Sequence, residues 1–127
     1  MTPLEVLGDA RYVLLTTIGA DGRPAPTPVW VTRRGAQLQV WRFRETGTTN
    51  RIRGTTAVRV APCSPSGRPR GASVDATAWM LPAADRGSLL DALVIKYGLR
   101  ARYATWRAIR SGDPGWAAAV AFEPTHG

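Results

Sequence analysis

The sequence predicts a mainly β protein, a six-stranded antiparallel barrel with accessory helices, and three observations predict it. Short runs rich in β-branched and aromatic residues recur along the chain, turn signals separate them, and no βαβ alternation is present. The 127 residues suffice for one domain covering 1–127, with a genuine core but no room for a second.

Each element has its own reason. Pro3 to Asp9 reads as a short helix, with Thr2 as N-cap and proline at the first helical position. Tyr12 to Ile18 is a strand closed by Gly19-Ala20-Asp21-Gly22, where Asp-Gly marks a hairpin. The second strand runs from about Arg23 to Arg33. Its prolines Pro24, Pro26 and Pro28 fall at every second position, so their missing N–H groups face one way, as in an edge or bulged strand. Gln37 to Trp41 alternates and forms the third strand. The strand signal stops between Glu45 and Arg53, where threonines around Gly47 predict a capped helical turn or two through Ile52. Strands resume over Ala57 to Pro62 and, after a Ser/Pro/Gly turn, over Arg70 to Leu81. Pro82 and Asp85 open a helix whose Leu90, Leu93, Val94 and Tyr97 form one apolar stripe. This helix is expected to lie across one barrel opening. Gly98 interrupts it, Leu99, Tyr103 and Trp106 continue in a second helical piece, and Trp116 to Phe122 supplies the last strand.

Composition narrows the function classes. Hydrophobic residues make up 44% of the chain, which argues against wholesale disorder. No run approaches the ~18 apolar residues of a membrane span, so no membrane role is expected. The N-terminal stretch lacks a basic segment followed by an apolar one, and a cytoplasmic location is expected. Cys63, the single cysteine, excludes an internal disulfide and a multi-cysteine zinc site; it reads as a small buried hydrophobe. The net charge of +8 raises nucleic acid as a partner, but the arginines are scattered and no helix-turn-helix, zinc or RNP-like pattern accompanies them. Lys96 is the only lysine among 17 basic residues. With Arg100, Arg102, Arg107 and Arg110 it reads as a solvated helix face or a grip for an acidic tail.

Between the third and fourth strands, the Thr/Gly/Arg segment is the candidate anion site. Gly47 lets backbone N–H groups approach an anion, and Thr46, Thr48 and Thr49 offer hydroxyls. The alternative is an ordinary N-cap with solvated threonines. Trp30, Trp41, Trp79, Trp106 and Trp116 read first as core and only second as ring-stacking groups. Asp75 is expected to point to water, and His126 to sit in the tail.

The order YVLLTT, DGRPAPTPVWV, LQVW, TGTTNRIR, VRVAPC and KYGL resembles the pyridoxamine 5′-phosphate oxidase-like, FMN-binding split-barrel family, across about Leu4 to Pro124. It looks most like the short actinobacterial branch that uses the deazaflavin coenzyme F-420. The resemblance implies a Greek-key split barrel and a homodimer with the cofactor in a shared groove. It places Thr27, Pro28, Val29 and Trp30 beside the tricyclic ring, and Trp41, Arg42, Thr46, Gly47 and Thr48 toward the phosphate. Family members commonly carry lysine at the positions matching Thr48 and Asn50. This chain has neither, and Arg42, Arg44, Arg51 or Arg53 is expected to supply the charge.

The implied function is hydride transfer from the reduced deazaflavin to an electron-poor small molecule, with FMN as the alternative cofactor. A non-catalytic carrier of a cofactor, haem or other planar ligand is the alternative class. No catalytic side chain is assigned, because the cofactor carries such chemistry. Any proton the product needs is expected from solvent or Tyr97.

Overall fold

Six strands close into one antiparallel barrel: β1 (Val13–Ile18), β2 (Pro24–Arg34), β3 (Gln37–Arg42), β4 (Ala57–Pro62), β5 (Val74–Met80) and β6 (Trp116–Ala121). The computed structural model describes residues 2–42, 48–111 and 116–122. Around the barrel the order is β1-β2-β3-β6-β5-β4, closing back on β1. β4 returns to pair with β1 after the β1-β2-β3 meander, which makes the Greek key.

β2 changes partner part-way along. Its first half pairs with β1, from Ile18↔Pro24 to Val13↔Val29, and its second half pairs with β3, from Trp30↔Trp41 to Arg34↔Gln37. All three prolines therefore lie in the half that, among the described residues, has β1 alone as neighbour. The Pro28 carbonyl turns to the other side, where Arg42 Nη1 donates to it at 2.7 Å. The proline spacing thus marks the split of the barrel.

Alternation divides the core into two clusters. Val13, Leu15, Val29, Val31, Leu38, Val40, Val60 and Val120 fill the interior, joined by Leu7 and Ile52 from two short helices. These are α1 (Pro3–Asp9) and α2 (Thr48–Gly54). α1 starts at the expected cap: the Glu5 N–H donates to Thr2 Oγ1 and the Thr2 N–H to Glu5 Oε2, a capping box. α2 carries the predicted helical turns, displaced to Thr48–Gly54.

The second cluster lies on the outer face of β3 and β6. There Trp41, Ala117 and Ala119 meet Leu89, Leu93 and Ala101 from α3 (Arg86–Tyr97) and α4 (Leu99–Ser111). The late helix does not lie across an opening, as expected, but packs against the barrel wall. The alanines of β6 explain this, since small outward side chains let a helix approach closely. Leu89 and Leu93 are fully buried, each stabilising by roughly 2–3 kcal/mol. The apolar stripe is accordingly wider than predicted, with Leu89 in it. A 3-10 turn over Ala83–Asp85 precedes α3, and Gly98, at φ 73°, ends it with its N–H on the Val94 carbonyl.

β5 is shorter than expected. The chain after β4 doubles back, with a Cys63↔Pro69 bridge, the Ser64 N–H on the Arg68 carbonyl and the Arg70 N–H on the Pro62 carbonyl. Those bonds commit the Arg70 backbone to β4's end, so pairing with β5 begins at Val74.

Candidate functional site

A concavity of about 300 Å3 opens where β2 changes partner, lined by Tyr12, Pro28, Val29, Trp30, Trp41, Arg42 and Ala104. Five of the sequence-predicted site residues, Pro28, Val29, Trp30, Trp41 and Arg42, converge there. Alternation on β2 sends Pro28 and Trp30 outward, while Thr27 and Val29 turn inward and are buried. Thr27 therefore supports the wall from behind. Tyr12 and Ala104 were not anticipated. Tyr12 reaches the groove from the start of β1, and Ala104 from a helix whose docking is a long-range contact.

The aromatic wall is built in steps. Trp30 lies 5.6 Å from Trp41, tilted by 38°, and stacks on Tyr97 at 4.7 Å with 13° between planes. Tyr97 is fixed in turn, because its hydroxyl accepts from the Val31 N–H at 3.0 Å and donates to the Arg11 carbonyl at 2.7 Å. Beside it, Lys96 Nζ donates to the carbonyls of Gly8, Ala10 and Val31 at 2.7–2.8 Å. The ammonium also sits 5.3 Å from the Tyr97 ring centroid. These two residues bolt the end of α3 to β2 and α1. Lys96 is thus turned inward and does not belong to a solvated basic face. Its being the chain's single lysine was the signal available in the sequence: only a compact ammonium presents three hydrogens to three carbonyls around one point.

Burial pulls Lys96 down to about 8, opposed by the Asp9 charge and reinforced by Arg11, so at pH 7 it still carries all three protons. Burial pushes the Tyr97 hydroxyl up to about 12, against the Val31 N–H bond that favours ionisation. Tyr97 is therefore a poor proton donor and a structural post. The raised value has a measurable sign. The unfolded chain ionises first, so the stability Tyr97 contributes is complete below its ordinary value of 10 and is lost as pH climbs toward 12. Urea midpoints of the wild type and Tyr97→Phe should differ most at pH 9 and draw together as pH rises from 10 toward 12. A gap that widened with pH would reverse this assignment.

The remaining predicted residues lie elsewhere. Thr48 is fully buried, and its hydroxyl accepts from Arg51 Nη2 at 3.1 Å, while Arg51 Nε donates to the equally buried Thr17 Oγ1 at 2.7 Å. Thr17 lies three residues beyond the Leu14↔Pro28 pair on β1, roughly 10 Å from the groove along the strand. Arg53 is exposed on α2. Thr46, Gly47 and Arg44 fall outside the described residues, as do the Thr49 and Asn50 side chains and His126.

The other candidates are quickly placed. Trp41 and Trp116 are buried, as expected of strand tryptophans, whereas Trp79 and Trp106 are 36% and 54% exposed. Cys63 is buried, and burial pushes its thiol up with Arg70 opposing, which suits a packing residue. Asp75 points to water and pairs with Arg59 at 3.4 Å. Among the described residues no group of three His, Cys, Asp or Glu side chains converges as a metal site, and no helix is long and apolar enough to cross a membrane.

Comparison with solved structures gives the architecture its name. The haem storage protein HutZ from Vibrio cholerae superposes with a TM-score of 0.70 at 12% identity, covering 94% of this chain and 86% of that one. The fold is the split barrel. An FAD-binding protein from Mesorhizobium loti shares it, with a TM-score of 0.63, 17% identity and coverage of 97% and 91%. So does an F420-H2 dependent reductase, with a TM-score of 0.61, 18% identity and coverage of 87% and 93%. No protein-family model matches this split barrel, and no curated protein matches its sequence.

Proposed function

We propose that this chain is an oxidoreductase of the pyridoxamine 5′-phosphate oxidase-like group, with the deazaflavin coenzyme F-420 in the groove at the barrel's split. The observation that carries the reading is the convergence of Pro28, Val29, Trp30, Trp41 and Arg42 on one concavity. Its aromatic wall and flanking guanidinium fit a planar ring with an acidic tail. When bound, the coenzyme supplies the hydride for an electron-poor small molecule. The chain's own part is to hold the ring against Trp30 and Trp41, keep water from that face, and meet the anionic tail with Arg42. A guanidinium has five N–H donors, and the Pro28 carbonyl takes one of them. Arg53 and the loop carrying Thr46 and Gly47 are proposed to contact the tail further along.

At about 300 Å3 the concavity is at the lower limit of small-molecule sites, about 300–1,000 Å3. A second copy is proposed to supply the missing wall, giving a homodimer. The split barrels that bind FAD, or that depend on F420-H2, lend this reading support.

A carrier of a planar ligand such as haem is the second reading, favoured by the likeness to a haem storage protein and by an aromatic groove with no acid–base pair among its described lining residues. Titration separates the two, on protein whose mass is first measured by light scattering. Oxidised F-420 should bind with a micromolar Kd, about −7 to −8 kcal/mol, and more tightly than FMN. Tighter FMN binding would refute the deazaflavin assignment, and a Soret shift with haem but no response to either flavin would establish the carrier. A monomer mass would remove the shared groove.

A further inference from the structure

The crest of α4 is built the wrong way round for a helix on a solvated barrel. Ala101, fully buried, and Ala104, half-buried, face the barrel. The opposite side carries Leu99, Tyr103 and Trp106 at i, i+4 and i+7, exposed by 81%, 59% and 54%. The Tyr103 and Trp106 rings lie 6.1 Å apart, and Arg110 covers Trp106 at 5.3 Å, so the crest is one contiguous strip. Ile95, one turn earlier on α3, is 86% exposed. Arg100, Arg102, Arg107 and Arg110 flank the strip and are exposed, and α4, LRARYATWRAIRS, has no acidic residue. Asp91, exposed on α3, is the nearest acid in sequence among the described residues, and Asp113 follows α4 in the sequence.

We propose that this crest docks the protein onto the surface of an anionic phospholipid bilayer. Charge disfavours crest-to-crest packing of two copies, because two such faces would set arginine against arginine. A nucleic acid would use the arginines and the rings, but not Ile95 and Leu99. A bilayer surface uses every part. The aliphatic side chains enter the acyl boundary, Trp106 and Tyr103 sit at headgroup level, and the arginines snorkel to lipid phosphates. α4, with its 13 residues, lies about 20 Å along the surface, on the bilayer and not through it.

Co-sedimentation of the full chain tests this, using vesicles of equal parts phosphatidylglycerol and phosphatidylcholine against pure phosphatidylcholine. The protein should pellet with the former and stay in solution with the latter. Leu99→Ser with Trp106→Ser should weaken binding by roughly a hundredfold, and Arg100→Ser with Arg107→Ser by roughly thirtyfold. Both pairs are exposed, so melting temperatures should stay unchanged and report intact folding. Equal pelleting with both vesicle types, undiminished binding by both variants, or tighter binding to a single-stranded oligonucleotide than to anionic vesicles would overturn the proposal.

Discussion

Lys96→Met is expected to lower the unfolding free energy by about 3 kcal/mol, a fall in Tm of roughly 10 °C for a chain of this size. Methionine keeps the stem's packing and removes the three donors, leaving the carbonyls of Gly8, Ala10 and Val31 without them. Each of those belongs to a different stretch of chain, so the loss loosens α1, the segment before β1, and β2 from α3 together. Lys96→Arg should rescue little. A planar guanidinium aims its hydrogens outward in a fork and cannot converge them on three oxygens around one point. Thermal melts of the three proteins check this, and a wild-type-like Tm for the arginine variant would show that charge alone suffices. Because Tyr97 neighbours Lys96 and stacks on Trp30, the methionine variant should also blunt ligand binding in the groove.

Two arginines that look equivalent in the sequence should separate cleanly. Arg51→Ala is expected to cost about 2–3 kcal/mol of stability, since its guanidinium serves two fully buried hydroxyls, Thr17 and Thr48. Arg42→Ala removes one hydrogen bond to the half-buried Pro28 carbonyl in the middle of β2, so stability should fall by only about 1 kcal/mol. Its effect on F-420 affinity should be larger, roughly tenfold or more, through loss of a charge-assisted contact. Urea denaturation and the titration, run on both variants, give the comparison. If Arg51→Ala lost affinity without losing stability, the anion site would belong at α2 and not in the groove.

The strand plan was legible because each strand satisfies its pattern locally. β1 alternates cleanly, and the Thr2–Glu5 box and Gly98 punctuate helices by short-range chemistry. β5 was over-extended because the hydrogen bond that claims the Arg70 N–H comes from Pro62, a partner no local pattern announces. The site was legible in halves. The Thr-Pro-Val-Trp run marked the groove, but the Thr/Gly/Arg segment reads the same whether its side chains meet an anion or, as Thr48 and Arg51 do, each other and Thr17. Lys96 was misplaced for a related reason. Its partners lie 65–88 residues away, and helical periodicity says which face a residue occupies without saying what that face meets.

The prolines of β2 have an effect beyond marking the split. Over the length of its first half β2 has β1 alone as neighbour among the described residues, and bare strand edges recruit foreign strands into aggregates. Here that length carries Pro24, Pro26 and Pro28, so an incoming strand would find carbonyls but no amide hydrogens to complete its ladder. Arg42 already occupies one of those carbonyls. The opening is therefore accessible to a small ligand while being a poor template for an incoming polypeptide strand.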